Sequence, residues 1–236
     1  MVYRNKQEIN KAIEMFNEAL KIKPQDKYKA VLYKDIAYSY FLSHTKDKAI
    51  DACRKAIALN YNYADAHGYL GFIYSKDDLE TNNSQKECKM ALQIDPFNAI
   101  SFNVLLELSR SDNQIKDYLI EKYNGLLNSY KNFSKYKIYR ALGIIYLYNG
   151  MHSEAIFNLK KAKEINPYDV NINNALAVYY SELEEYPKAI KFFKIALALN
   201  PFDKSVYKNF AILYNRLNRV KEAEKLIKKS ETIDIF

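Results

Sequence analysis

Glycine and proline are scarce in this chain, with five of each spread over 236 residues. No segment therefore reads as a flexible linker, and a single domain over residues 1–236 is expected, although the length alone would accommodate two. No run of about 18 apolar residues occurs, which excludes a membrane-spanning helix. Met1-Val2-Tyr3-Arg4 leads straight into charged sequence, so no secretory signal is expected and a cytoplasmic location follows. Cysteine is confined to Cys53 and Cys88, and no His or Cys pair stands at ligand spacing. The two thiols read as core residues, with no metal site and no disulfide. The histidines are limited to His44, His67 and His152, without HExxH, GxSxG or a glycine-rich phosphate loop. Carboxylate pairs such as Glu184-Glu185 and Asp77-Asp78 read as solvated turn residues. No catalytic residue and no cofactor are expected, and the chain does not read as an enzyme.

The formal net charge is +8, yet only six of 36 basic residues are arginine. Lysine, asparagine, tyrosine and isoleucine are abundant together, the bias of an AT-rich genome, so the charge by itself does not point to nucleic acid.

Against these absences stands an interval of 34 residues. Leu142, Gly143, Tyr146, Ala155, Ala162 and Pro167 return as Leu176, Ala177, Tyr180, Ala189, Ala196 and Pro201. They return again as Phe210, Ala211, Tyr214, Ala223, Ser230 and Ile235. Within one interval, Tyr139, Leu142, Ile145 and Tyr146 have helical spacing, and Asn149-Gly150 signals a turn. A second amphipathic run from Ser153 carries Ala155, Ile156, Leu159 and Ala162 and stops at Asn166-Pro167. Gly143, Ala155 and Ala162 are small where two helices must cross closely, at roughly 8–10 Å. One such hairpin cannot bury its apolar face alone, so neighbours must stack.

The same frame reaches backwards through residues 30–63 (Ile36, Ala37, Tyr40, Ala49, Ala56) and 64–98 (Leu70, Gly71, Tyr74, Ser84, Ala91, Pro96). The second of these is one residue longer, within the polar turn Ser75–Asn83. Residues 99–135 keep the length and lose the slots. A helix from Ala99 to about Ser109 and another after Ser111-Asp112 are expected there, set further apart than elsewhere, with a binding insertion as the alternative. Residues 1–29 match only a second helix, a half-repeat, and the remaining units are 136–169, 170–203 and 204–236.

A 34-residue unit with small, aromatic and proline slots in this order resembles the tetratricopeptide repeat (TPR). The resemblance implies an all-α fold, a right-handed TPR superhelix or α-solenoid of antiparallel helix pairs, acting as a protein-interaction scaffold or adaptor. It also implies a concave face lined by the first helices. In this chain that face offers Lys34, Tyr38, Phe41, Tyr69 and Phe72, then Lys137, Arg140, Tyr148, Asn174, Lys208, Asn209 and Arg216. A partner peptide with apolar anchors and acidic residues is expected there. The carboxylate clamp by which TPR co-chaperones hold Hsp70 and Hsp90 is absent. Its position-9 asparagine is Tyr38, Phe72, Glu107, Ile144, Val178 or Ile212 here.

Arg54, Lys89, Lys160, Lys194 and Lys228 share one slot on the second helices and form an expected basic ladder on the convex side. It is read first as a solvated face and second as a nucleic-acid surface. A further alternative is self-assembly as a homo-oligomer, through the incomplete first repeat and the apolar end Ile233–Phe236.

Overall fold

Asparagine or aspartate stands immediately before the proline slot in four repeats, and the same local geometry follows each time. Asn60, Asp95, Asn166 and Asn200 end their helices in extended backbone. Their N–H groups bond the carbonyls of Ala56, Ala91, Ala162 and Ala196. Their side-chain oxygens then accept from the N–H two residues on, at Asn62, Phe97, Tyr168 and Phe202. This is an Asx turn, and it reverses the chain into the next helix. In the last two repeats that helix is opened by an aspartate. Asp169 accepts from the Ile172 N–H, and Asp203 from those of Ser205 and Val206.

The computed structural model describes residues 2–130 and 134–233. Among them the chain forms only helices, and it divides into two compact units, Met1–Leu108 and Ser109–Phe236. Unit 1 holds α1 (Val2–Lys21), α2 (Asp26–Leu42), α3 (Lys46–Leu59), α4 (Ala64–Tyr74), α5 (Thr81–Ile94) and α6 (Ala99–Leu108). Unit 2 holds α7 (Asn113–Leu126), α8 (Lys135–Tyr148), α9 (His152–Ile165), α10 (Val170–Glu182), α11 (Tyr186–Leu199), α12 (Lys204–Arg216) and α13 (Val220–Thr232). In both units successive helices pack as antiparallel hairpins, and each hairpin packs on the next. Each unit is thus a short all-α solenoid of the expected kind.

Inside the hairpins, one residue takes the left-handed backbone conformation at the same slot of four repeats: His44, Gly150, Glu184 and Asn218. Only Gly150 adopts it without a Cβ penalty. The residue 64–98 repeat spends its extra residue here. Its helices are joined through a 3₁₀ turn at Asp78–Glu80, capped by the Asp77 carboxylate on the Leu79 N–H. Lys46 from the preceding repeat pairs with that carboxylate at 2.6 Å.

The alanine slots are the contact points of the hairpins. Ala37, Ala49, Ala56, Ala91, Ala155, Ala162, Ala177, Ala189 and Ala196 are all fully buried. At the two glycine slots the approach is closer still. A Cβ on Gly143 would lie 2.7 Å from Leu159 Cγ, and one on Gly71 would lie 2.5 Å from Cys88 Sγ. Both cysteines are buried free thiols, and burial pushes each up to about 12. Larger residues fill the spaces between, such as Phe193 of α11 stacked on Phe210 of α12 with centroids 4.9 Å apart.

Several boundaries differ from the sequence expectation. α2 begins at Asp26, four residues before the expected unit, because Pro24 has already ended the preceding turn and an acid in the first turn suits the helix dipole. α9 begins at His152, one residue before the expected start at Ser153. The 99–135 segment supplies its two expected helices, with Asp112 capping α7 through the Gln114 and Ile115 N–H groups. The division between the units falls inside this segment. α6 packs on α4 and α5, and α7 packs on α8. Of the residues invoked for end-to-end assembly, Ile235 and Phe236 lie outside the described residues.

Candidate functional site

In unit 1, α4 lies between α2 and α6, and the three helices wall a groove of about 520 Å³. Tyr38 on α2, Tyr69 and Phe72 on α4, and Ile100, Val104 and Leu108 on α6 supply its apolar surface. Tyr38 and Tyr69 approach with centroids 5.5 Å apart, and Phe41 meets Phe72 edge-on at 5.1 Å. Tyr38 keeps 43% of its surface exposed, so its ring is available as well as packed.

Two lysines stand beside these rings. Lys34 lies 5.8 Å from the Tyr69 ring and is paired with Asp35 at 2.5 Å. Burial works against its charge, but the Asp35 hydrogen bond and charge outweigh that and raise its pKa. Lys76 lies over Phe72 at 4.6 Å. Asn103 and Glu107 of α6 complete the polar lining. The groove therefore joins three of the expected residues, Tyr38, Tyr69 and Phe72, to a wall that the alanine-free segment contributes, with Lys34 and Phe41 beside these rings. Ile100, Val104 and Leu108 recur every fourth residue, and that spacing was the available signal for a helix face.

The expected groove residues of unit 2 are arranged differently, because four of the seven are engaged with neighbouring side chains. Arg140 pairs with Asp169 at 2.6 Å, and the same carboxylate caps α10. Asn209 donates to Asn174 at 3.2 Å. Arg110 lies over the Tyr148 ring at 4.1 Å. Lys137 is half-buried, while Lys208 and Arg216 are exposed. Glu182, beside His152, Arg216 and Arg110, has its pKa raised by burial despite those cations.

On the second helices, Lys160, Lys194 and Lys228 are exposed and Lys89 is half-buried. Arg54 is exposed as well and donates to the Tyr74 hydroxyl at 3.1 Å.

One recurring polar feature was not legible from residue types. Six residues after the proline slot, a side chain of the next helix reaches back to the slot's own carbonyl. His67 Nε2 lies 3.0 Å from the Tyr61 carbonyl oxygen. Asn173 Nδ2 donates to that of Pro167 at 3.1 Å, and the Tyr207 hydroxyl donates to that of Pro201 at 3.1 Å. Three chemically unlike residues thus do one job, tying the inter-repeat turn.

Among the described residues, no group of three His, Cys, Asp or Glu side chains is placed to hold a metal, and no helix is long and apolar enough to cross a membrane.

A tetratricopeptide-repeat family model matches residues 1–26 and 136–169. No curated protein sequence matches the chain. Among solved structures, PilF of Pseudomonas aeruginosa is similar over 86% of this chain and 90% of its own, at 17% identity and a TM-score of 0.50. MamA is similar over 84% of this chain and 94% of its own, at 18% identity and a TM-score of 0.39. YrrB, described as a TPR protein with an unusual peptide-binding site, covers 94% of this chain and 93% of its own, at 15% identity and a TM-score of 0.39. Hairpins at a 34-residue interval in both units, with a matching family model on one repeat of unit 2 and on α1, support the tetratricopeptide-repeat resemblance, and the fold is that of an all-α TPR solenoid.

Proposed function

We propose that the protein is a non-catalytic interaction scaffold that receives a peptide segment of a partner protein in the groove of unit 1. The observation that carries this reading is the aromatic wall of the exposed Tyr38 and the half-buried Tyr69 and Phe72, facing an aliphatic α6 across about 520 Å³. Solvent-exposed aromatic rings held by rigid helices are the usual anchors of an interface, since they bury much area for little lost freedom. Lys34 is already balanced by Asp35, so Lys76 is the cation that an acidic residue of the partner meets beside its apolar anchors.

Selection from a random peptide library on the intact protein tests this. The expected binders carry two or more aromatic or aliphatic anchors. Tyr38→Ala and Phe72→Ala each weaken them by roughly tenfold or more, while Lys160→Ala on α9 leaves them unchanged. Peptides that bind a Tyr38→Ala/Phe72→Ala double variant as tightly as the wild type would sink the groove reading.

A further inference from the structure

Unit 1 has a second cavity, on the other side of α4 from the groove. Its volume is about 480 Å³, within the range that holds small ligands. Arg54, Ile57 and Ala58 of α3 form one wall, and Lys86, Glu87 and Met90 of α5 form another. The floor is His67, Leu70 and Tyr74 of α4, and Tyr61 stands at the turn between α3 and α4.

Its charges are unbalanced in one direction. The single carboxylate, Glu87, is held by the buried His67 ring, with Nδ1 to Oε2 at 2.6 Å. The two cations have no such partner. Arg54 donates to a phenol, the Tyr74 hydroxyl, and Lys86 is exposed. An exposed guanidinium steadied by the Tyr74 hydroxyl has hydrogen-bonding capacity to spare for a planar or tetrahedral anion. Around it the lining is apolar and soft: Ile57, Leu70 and the Met90 thioether, with the Tyr61 hydroxyl 3.9 Å from Met90 Sδ.

We propose that this cavity binds a small organic anion with an aromatic body, an aryl carboxylate or aryl phosphate. Arg54 and Lys86 hold the anionic head, and Ile57, Leu70 and Met90 pack the ring. The site is separate from the peptide groove, and its occupant is a small molecule.

Phenyl phosphate and benzoate are the probes, titrated into the whole protein while the methionine methyl resonances are followed by NMR. Either probe is expected to move Met90 saturably at about 1 mM or below and to leave Met15 and Met151 in place. Inorganic phosphate and phenol, each offering half of the ligand, bind roughly tenfold more weakly or worse. Arg54→Gln and Lys86→Gln each weaken binding by roughly tenfold, and Lys194→Gln on α11 has no effect. Lys86 is exposed, so its variant remains informative if Arg54→Gln alters the Tyr74 contact. Absence of a saturable Met90 shift with both probes, or wild-type affinity in Lys86→Gln, overturns the proposal.

Discussion

At the ninth position of the repeat, unit 1 carries Tyr38, Phe72 and Glu107, while unit 2 carries Ile144, Val178 and Ile212. At the fifth position, unit 1 has Lys34 beside an aromatic ring. Unit 2 has Arg140 locked to Asp169 and Asn174 bonded to Asn209. The backbone geometry of the hairpins is shared, so the difference is one of use. Unit 1 gathers first-helix side chains around a cavity, whereas unit 2 spends Arg140, Asn174 and Asn209 on tying neighbouring repeats together and leaves Lys208 and Ile212 exposed. On the second helices of unit 2 the Phe193 ring goes inward, at 1% exposure. A repeat array can divide labour in this way because the slots that hold helices together are distinct from those that face outward.

The sharpest test of that contrast is truncation of a ring in each unit. Phe193→Ala removes a fully buried side chain from the α11–α12 stack and is expected to cost about 3–5 kcal/mol. Phe72→Ala removes a half-buried ring from the groove wall and is expected to cost no more than about 1–2 kcal/mol. Urea denaturation followed by circular dichroism measures both. Equal costs would mean that the unit 1 aromatics are core residues and the contrast is lost.

Next in size is Gly143→Leu. The added side chain starts 2.7 Å from Leu159 Cγ and 3.2 Å from the Leu159 backbone nitrogen, so α8 and α9 must separate. A loss of about 3 kcal/mol is expected, and a variant that melts with the wild type would refute the close crossing.

A smaller effect probes what the units share. Asn173 is fully buried and serves the Pro167 and Asp169 carbonyls and the Lys163 ammonium together. Asn173→Ala should therefore cost about 1–3 kcal/mol. Asn173→His should cost less, because His67 makes the equivalent contact in unit 1. If the two variants lose the same stability, the carbonyl tie is not what the position provides.

The smallest expected effect concerns pH. Burial raises the Glu182 carboxyl above its ordinary 4.5, against the opposing charges of His152, Arg216 and Arg110. The folded state then keeps this proton to higher pH than the unfolded chain does. Stability falls as pH climbs from the unfolded value through the folded one. Glu182→Gln removes that loss. Its Tm should match the wild type at about pH 4 and exceed it at about pH 7. A constant difference across that window would contradict the burial argument.

Much of this architecture was legible in the sequence because it rests on residue size. Alanine and glycine at 34-residue spacing mark helix crossings, and proline after asparagine marks helix ends, whatever surrounds them. The TPR resemblance, rather than residue size, put Tyr38, Tyr69 and Phe72 on first-helix positions of one face, and the three share the groove of unit 1. The unit 2 pairings were not legible, since Arg140 and Asp169 stand 29 residues apart and a charged residue in a groove position does not reveal its partner. The Arg54 cavity was equally hidden. Its second cation, Lys86, lies off the slot that the other basic residues share, and only the stacking of α3 beside α5 brings the two to one cavity.

The Gly71–Cys88 crossing carries a consequence for chemical stress. An oxygen added to the Cys88 sulfur would enter the space that a Gly71 methyl is denied, prising α4 from α5. α4 carries Tyr69 and Phe72 on one side and His67 and Tyr74 on the other, so both cavities of unit 1 would be distorted together. Yet oxidants attack the thiolate, and a thiol pushed up to about 12 leaves on the order of one molecule in 100,000 ionised at neutral pH. The residue whose oxidation would do the most damage is thus kept nearly inert by the same burial that makes it vulnerable, and peroxide should leave the binding surfaces of unit 1 intact for as long as the fold stays closed.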